Sequence, residues 1–310
     1  MTLRIAVMGT GGVGGYFGGR LAESGADVTF IARGAHLDAI KAHGLRIESG
    51  KGDFTLKPAK VVLSPADIPA ADVVLFAVKL RDTESAAEAI APLVKRGASV
   101  FTFQNGVDSF DRLSKVLGAK AIVPGVARVA AHISEPGVVK EAGRFATLEI
   151  GEADGSKSQR TQAFHDMVKA AGVDVHLRDN INRALWLKFA MLAPCSGLTS
   201  LVRGPIGPVR RTPESRALLF DAVREVVALG THLKMGLEPG DADTVIKQIE
   251  KLPDTMMSSM SHDLVAGKPI EIFGLSGTAA RLGREHGVAM PVHTFITAVL
   301  APFAKGPPAP

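Results

Sequence analysis

Cysteine and aromatic residues are scarce in this sequence. A single cysteine, Cys195, occurs among the 310 residues, so an internal disulfide is excluded and a reducing compartment is expected. Aromatic residues make up 5% of the chain, too few for the base-stacking platforms of a nucleic-acid-binding protein. The 36 basic and 31 acidic residues are scattered, and this small positive excess suits small anionic ligands better than a nucleic acid.

The sequence also lacks metal-ligand motifs and long hydrophobic runs, and we expect no targeting leader. The nine histidines show no metal-ligand spacing, and neither H-E-x-x-H nor C-x-x-C occurs, so no structural or catalytic metal is expected. No run approaches the roughly 18 apolar residues of a membrane span, and the chain enters an apolar strand at residues 3–8 without a basic leader. We therefore expect a cytoplasmic protein that has no membrane partner.

The first half of the chain alternates between strand-like and helix-like patterns. Helical spacing of apolar residues occurs, for example, at 13–24 and 83–93. Short apolar, β-branched runs lie at 4–8, 28–32, 73–77, 99–103 and 121–123. This alternation predicts βαβ units and a parallel sheet. Residues 125–151 instead carry short alternating runs with Gly and Pro, which predict antiparallel strands on one edge of the sheet, before a helix at 158–171 and a strand at 174–177.

The second half of the chain has almost no strand signal. Six segments have helical patterns, most of them separated by Gly and Pro: residues 183–191, 213–234, 241–250, 257–265, 273–285 and 292–303. The 46% hydrophobic content is ample for two cores. The sequence therefore predicts an α/β protein with a Rossmann-type, doubly wound domain over residues 1–179 and an all-helical domain over residues 180–310.

A glycine-rich turn follows the first predicted strand. Gly9-Thr10-Gly11-Gly12-Val13-Gly14 fits G-x-G-x-x-G, with an apolar strand before it and a helix starting inside it. Gly9 permits the tight turn, Gly11 lets the backbone approach a pyrophosphate, and Gly14 lets the helix pack on the sheet. The helix N-terminus adds free N–H groups and a partial positive charge. We interpret these six residues as a dinucleotide-binding loop; the alternative is a glycine-rich turn without a ligand.

The second predicted strand ends on a base where an NAD site usually has an acid. Asp27 has the right spacing in sequence, but it lies at the amino end of the strand, roughly 20 Å from Arg33 at about 3.3 Å per residue. Arg33, at the carboxyl end, is a planar cation suited to a 2′-phosphate. The sequence therefore favours NADP(H) over NAD, unless Arg33 is an ordinary loop arginine.

Polar residues follow two other predicted strands. Lys79 comes after residues 75–78 and Asn105 after residues 101–103, and both are expected at the same cleft. Lys79 could meet a phosphate or a substrate carboxylate, and Asn105 could bind substrate or the cofactor ribose. The alternatives are an ordinary loop lysine and an Asn-Gly turn.

Three residues of the helical half could take part in chemistry. Lys188 lies in the strongly apolar segment 183–192, where desolvation can lower the pKa of a lysine towards the range of a general acid. The usual alternative is that such an ammonium extends to water. Glu271 could face the positive end of the following helix, and Ser259 could be an ordinary helical serine.

Seven stretches follow one another along essentially the whole chain: GTGGVG (9–14), FIARG (30–34), VKLRDT (78–83), QNGVD (104–108), RALWLKF (183–189), SSM (258–260) and KPIEI (268–272). Together they resemble the ketopantoate reductase (2-dehydropantoate 2-reductase) family. The resemblance implies an NADPH-dependent enzyme of pantothenate biosynthesis, an oxidoreductase that reduces ketopantoate, a 2-oxo acid, to pantoate. The expected binding partner is this small 2-oxo acid, and a homodimer is a candidate assembly.

The resemblance also implies a role for each matching residue. The lysine matching Lys188 is the general acid that protonates the ketone oxygen, and the glutamate matching Glu271 holds the substrate hydroxyl. The residues matching Asn105 and Ser259 help to hold the substrate, while the arginine matching Arg33 binds the 2′-phosphate. An ammonium near the carbonyl oxygen would both stabilise and discharge the negative charge that hydride addition creates.

The chain departs from the family pattern on the lysine helix. The best-known members carry asparagines four and eight residues after the lysine, where this chain has Leu192 and Ser196. Ser196 is retained as a substrate-binding candidate, but Leu192 makes specificity for ketopantoate less secure than reductase activity. The alternatives are a reductase of the same fold that acts on a more apolar 2-oxo acid, and a non-catalytic NADP(H)-binding redox sensor.

Overall fold

A computed structural model describes residues 3–308. Contacts within the chain divide it into two compact units. The first unit contains the residues up to Gln104 together with Ser109–Ile181, and the second contains Asn105–Asp108 and the residues from Asn182 onwards. The chain therefore leaves the first unit for four residues, Asn105–Asp108, well before the main transition.

The first unit is built on one sheet, which has ten strands within residues 3–308. The strands are β1 (Arg4–Met8), β2 (Asp27–Ile31), β3 (Leu45–Glu48), β4 (Phe54–Leu56), β5 (Val61–Val62), β6 (Val73–Phe76), β7 (Ser99–Thr102), β8 (Ile122–Glu135), β9 (Val138–Ile150) and β10 (Asp174–Leu177). Their order is β4-β3-β9-β8-β7-β6-β1-β2-β5, with β10 paired to β9. All the pairs from β5 through β2, β1, β6 and β7 to β8 are parallel.

Helices pack on both faces of this sheet. They are α1 (Gly12–Glu23), α2 (Gly34–His43), α3 (Thr83–Lys95), α4 (Ser109–Leu117) and α5 (Gln159–Ala170). Alternate residues of β1 face opposite sides: Ile5 and Val7 join the core that includes α1, and Ala6 joins the core that includes α3. Because both faces are covered, the central strands are continuous apolar runs, and all four residues of β6 are buried. The prediction of a Rossmann-type, doubly wound sheet is confirmed.

The region beyond β7 differs in detail from the prediction. Strands β8 and β9 form one long antiparallel hairpin with register shifts, instead of several short strands. This hairpin does not end the sheet, because β3 pairs with β9 and β4 pairs with β3. Strands β3, β4 and β5 have only two to four residues each, which is too short to give a periodic signal in the sequence.

The second unit consists of helices, as predicted. They are α6 (Ile181–Leu201), α7 (Ile206–Arg211), α8 (Pro213–His232), α9 (Asp241–Glu250), α10 (Ser259–Val265), α11 (Ser276–His286) and α12 (Pro291–Leu300). Helix α6 lies in the core with α8, and the two approach so closely that a Cβ on Gly230 would lie 2.9 Å from the Trp186 ring. Helix α6 continues through Pro194, ten residues beyond the predicted end.

Helix α6 is also long and apolar enough to match a membrane span by length and composition. Within its most apolar window, 67% of the residues are buried inside the protein. A core helix meets the same criteria, and the apolar character of α6 is explained by its packing in the second unit.

Candidate functional site

The glycine-rich turn 9–14 connects β1 to α1, and three of its glycines are required by close backbone contacts. Gly9 has a φ of +101°, and a Cβ on it would lie 2.9 Å from the backbone of Ala77. A Cβ on Gly14 would lie 2.2 Å from the carbonyl oxygen of Gly9, and one on Gly12 would lie 2.0 Å from that of Ala131. The turn therefore holds α1 directly against the strand ends, as its sequence predicts.

Gly11 differs from these three glycines, because the space that a side chain on it would occupy is open. A Cβ on Gly11 would have no atom within 4 Å. Gly11 is the N-cap of α1, no side chain caps this helix end, and its first turn carries no acidic residue. Thr10 is buried and donates its hydroxyl to the Ile31 carbonyl at 2.8 Å, and the half-buried Val13 packs on the core. The open face and the uncapped helix end fit a dinucleotide pyrophosphate.

Arg33 lies immediately after β2, at the carboxyl end of the strand, where the sequence places it. Its guanidinium is exposed, and its Nη2 donates to Oδ2 of Asp82 at 2.9 Å. Asp82 ends a short 3₁₀ turn (Leu80–Asp82) that follows β6. An acid is therefore present beside Arg33, but it comes from another strand of the sheet.

Lys79 and Gln104 lie after β6 and β7. Lys79 is exposed at the start of the 3₁₀ turn. Gln104 is buried, and its amide donates to the Val78 carbonyl at 3.1 Å and to the Thr83 hydroxyl at 2.9 Å. Gln104 thus ties the ends of the two strands together, whereas Lys79 lies at the surface of the first unit.

Lys188 and Asn105 are brought together in the second unit. Lys188 lies on α6, half-buried, and its Nζ donates to Oδ1 of Asn105 at 2.9 Å. Asn105 is 83 residues away in sequence and opens the segment Asn105–Asp108. The ammonium of Lys188 therefore has a fixed direction, which the alternative of a solvent-directed lysine does not predict.

Asp108 anchors the other end of that segment. Its Oδ2 accepts hydrogen bonds from the Thr278 hydroxyl and from Nη2 of Arg281, both at 3.3 Å. Between the two ends, Gly106 has a φ of +86°, and a Cβ on it would lie 2.9 Å from the Gly274 carbonyl oxygen. The segment is thus held at both ends against α6 and α11. Asp108 was not selected from the sequence, although it lies in the QNGVD stretch.

Ser258, Ser259 and Glu271 have distinct local roles in the second unit. Ser258 is buried and caps α10, accepting from the Ser261 N–H at 3.0 Å. Ser259, the predicted substrate ligand, is exposed at the first position of that helix. Glu271 is half-buried and precedes a 3₁₀ turn at Ile272–Gly274, which its side chain does not cap.

Leu192 and Ser196 follow Lys188 at four and eight residues along α6. Leu192 is half-buried and packs on the apolar core. Ser196 is fully buried, and its Oγ has no hydrogen-bond partner within residues 3–308. Along α6, the side chain after Lys188 is therefore apolar at Leu192 and fully enclosed at Ser196, so the substrate-binding candidate Ser196 is not exposed.

The mainly parallel, doubly wound sheet with a glycine-rich turn between β1 and α1 defines a protein with a Rossmann-type fold. Comparison with family models matches residues 5–155 to "Ketopantoate reductase PanE/ApbA" and residues 180–304 to "Ketopantoate reductase PanE/ApbA C terminal". The chain belongs to the ketopantoate reductase family and is an oxidoreductase of that family.

Individual relatives cover nearly the whole chain. A 2-dehydropantoate 2-reductase of Mesorhizobium japonicum is 30% identical over 91% of this chain and 92% of its own. The crystal structure of a PanE/ApbA family ketopantoate reductase from Ralstonia eutropha superposes with a TM-score of 0.88 at 33% identity, covering 96% of this chain and 97% of that one. A 2-dehydropantoate 2-reductase from Geobacter metallireducens gives 0.89 at 32% identity, with 96% and 99% covered.

Proposed function

We propose that the protein reduces ketopantoate to pantoate with NADPH, the reaction for which its family is named and a step of pantothenate biosynthesis. The observation that carries this proposal is the hydrogen bond of 2.9 Å from Lys188 Nζ to Asn105 Oδ1, because it orients an ammonium group on the half-buried face of an apolar helix. Such a group can donate a proton to a carbonyl oxygen and stabilise the charge that develops there.

The first unit offers the residues that would hold the cofactor. The turn 9–14 and the N-terminus of α1 would bind the pyrophosphate through backbone N–H groups. Arg33 would pair with the 2′-phosphate, and Lys79 would add a cation at the end of β6. A bound nicotinamide cofactor supplies the hydride for C2 of the 2-oxo acid.

The residues of the second unit would handle the proton and the substrate. As C2 becomes tetrahedral, Lys188 gives its proton to the former carbonyl oxygen, which becomes the hydroxyl of the 2-hydroxy acid. The neutral amine then regains its proton from water, which restores the ammonium for a further turnover once product and oxidised cofactor have been exchanged. Asn105 fixes the direction of the ammonium, while Glu271 would accept a hydrogen bond from the substrate hydroxyl and the Ser259 hydroxyl would donate one to the substrate carboxylate.

The test is a comparison of substrates with purified protein. NADPH oxidation is followed with ketopantoate, pyruvate and a series of larger 2-oxo acids, and kcat/KM is determined for each. We expect ketopantoate to give the highest value. Leu192 is apolar where the resemblance implies an asparagine, so the substrate series includes bulky apolar 2-oxo acids. One of these that exceeded ketopantoate by about tenfold would contradict the assignment of substrate. Tight NADPH binding without turnover of any 2-oxo acid would contradict the assignment as a reductase.

A further inference from the structure

The carboxyl end of β1 is flanked by a base on one side and an acid on the other. Strand β1 lies between β2 and β6, and all three run parallel. Arg33 follows β2 and Asp82 follows β6, so their ion pair of 2.9 Å passes across the strand end at which the turn 9–14 begins. The structure thus supplies, from β6, the carboxylate that the end of β2 lacks.

Asp82 is the less exposed member of this pair and has a second cation nearby. The side chain of Asp82 is 28% exposed, whereas that of Arg33 is 80% exposed. Nε of Arg81 lies 3.9 Å from the other oxygen, Oδ1, of Asp82. One carboxylate is therefore shared by two guanidinium groups, and the three residues together carry one net positive charge.

We propose that Asp82 sets the discrimination between NADPH and NADH, an inference that rests on the proposed binding of a dinucleotide at the turn 9–14. A 2′-phosphate must compete with the Asp82 carboxylate for Arg33, and the two anions repel each other. The 2′-hydroxyl of NADH has no charge and can donate a hydrogen bond to a carboxylate, which is how an acid at this end of a dinucleotide site acts.

It follows that the protein binds both cofactors, with Arg33 favouring NADPH and Asp82 opposing that preference. Removal of the Asp82 charge leaves both guanidinium groups free for the 2′-phosphate and leaves the 2′-hydroxyl of NADH without its best acceptor. Asp82 therefore makes both cofactors usable, and its substitution shifts the preference towards NADPH.

Binding of NADPH and NADH in the absence of any 2-oxo acid tests this inference. Dissociation constants are measured by calorimetry for the wild-type protein, for Asp82→Asn and for Asp27→Asn. The control is matched, because Asp27 forms an exposed ion pair with Lys60, at 2.6 Å, at the opposite end of β2 and its substitution changes the charge equally. We expect Asp82→Asn to tighten NADPH about tenfold and to weaken NADH severalfold, with Asp27→Asn changing neither.

Salt provides a second measurement on the same proteins. Because the exposed charges are screened at high ionic strength, the effect of Asp82→Asn on NADPH affinity should shrink as salt is raised. An Asp82→Asn protein that bound NADPH more weakly would show that Asp82 merely supports Arg33, and the inference would be overturned. Unchanged affinities for both cofactors would overturn it as well. A failure to reduce ketopantoate, with cofactor binding intact, would instead contradict the proposed function alone.

Discussion

Lys188 is the residue on which the proposed chemistry depends most directly. It is held by Asn105, and its position on an apolar helix limits the water that could compete for its proton. Substitution of Lys188 is therefore expected to affect the chemical step and not cofactor binding, because the cofactor loop belongs to the other unit of the chain. This separation gives a sharp prediction for a single substitution.

We predict that Lys188→Ala lowers kcat by roughly 10²–10⁴-fold, the usual contribution of a positioned general acid. The dissociation constant for NADPH should stay near that of the wild type. Steady-state kinetics and calorimetry provide the two measurements, and Lys247→Ala, which removes an exposed lysine of α9, provides the control. Turnover close to wild type in Lys188→Ala would remove this residue from its proposed role.

At the residue scale, the sequence identified individual site residues more readily than the residues to which they are hydrogen-bonded. Arg33 stands out because it occupies a position where an acid is usual, and Lys188 stands out because it is a charged residue in an apolar helix. Asp82 is 49 residues from Arg33, and Asp108 is 173 residues from Arg281, so neither pairing has a local signal. Such contacts are created only when the fold brings distant segments together.

At the scale of elements, the N-terminus of α1 contains one glycine that packing requires and another that leaves space for a ligand. Gly14 faces the Gly9 carbonyl oxygen at a distance that no Cβ can occupy, whereas Gly11 faces open space. The two positions belong to the same sequence motif, yet they respond to different requirements, close packing in one case and access for a ligand in the other.

Substitution by alanine should distinguish these two requirements. We expect Gly14→Ala to destabilise the protein by more than about 2 kcal/mol, since backbone must shift to relieve the contact. Gly11→Ala should unfold like the wild type but bind NADPH more weakly, because its methyl group projects into the space expected for the pyrophosphate. Urea unfolding and calorimetry measure the two effects, and equal loss of stability in both variants would contradict this distinction.

The segment Asn105–Asp108 links helix α11 to Lys188 on helix α6 through hydrogen bonds at both of its ends. Asp108 is tied to α11, and Asn105 is tied to Lys188 on α6. If Asp108 positions Asn105, its loss should affect catalysis through geometry, because small displacements of a proton donor reduce rates strongly.

We predict that Asp108→Ala lowers kcat by about tenfold with a smaller change in KM. Asp108→Asn retains an oxygen that can accept from Thr278 and Arg281, and it should restore most of the activity. In the Asn105→Ala background, Asp108→Ala should have little further effect, because the two substitutions act on one interaction. Additive effects would indicate that Asp108 acts independently of Asn105.

Among the elements, long periodic helices and central strands were predicted well from the sequence. The short strands β3, β4 and β5 and helix α2 were missed, because residues 34–62 offer few consecutive residues of one periodicity. Helix α6 was predicted to end at residue 191, but it continues to Leu201 through Pro194, a residue that locally disfavours helix. Burial of the surrounding residues in the core outweighs that local preference.

At the scale of the whole molecule, acid sensitivity should come in part from a buried histidine in the second unit. His293, on α12, is fully buried, and its Nε2 lies 3.0 Å from the Ala222 carbonyl oxygen. Burial lowers the pKa of His293 to about 4. Glu225 accepts from the N–H groups of Val292 and His293, and burial raises the pKa of its carboxyl group.

The two groups affect stability in opposite directions. Between pH 6.5 and 4, unfolded His293 binds a proton that the folded form does not, so stability falls as pH falls through this window. A full loss corresponds to about 3 kcal/mol at 1.36 kcal/mol per pKa unit. The raised pKa of Glu225 means that its folded form takes up a proton first, which offsets part of this loss.

We predict that His293→Gln, whose amide can still donate to Ala222, loses less stability than the wild type between pH 7 and pH 4.5. Urea unfolding at several pH values gives the free energy of unfolding of both proteins. The contribution of Glu225 is common to both, so it cancels in the difference. His286→Gln, at an exposed position on α11, provides the control. Parallel stability curves for the wild type and His293→Gln would contradict the assignment of acid sensitivity to His293.

The brief excursion of the chain at Asn105–Asp108 has a consequence for how this protein can be recombined. A crossover near residue 181 would join a foreign helical half to a first half that still encodes its own Asn105 and Asp108. Lys188 and its hydrogen-bond partner would then come from different parents. A chimera that keeps Lys188 with its own partner therefore needs two further crossovers, one on either side of residues 105–108, so that these four residues are exchanged together with the helical half.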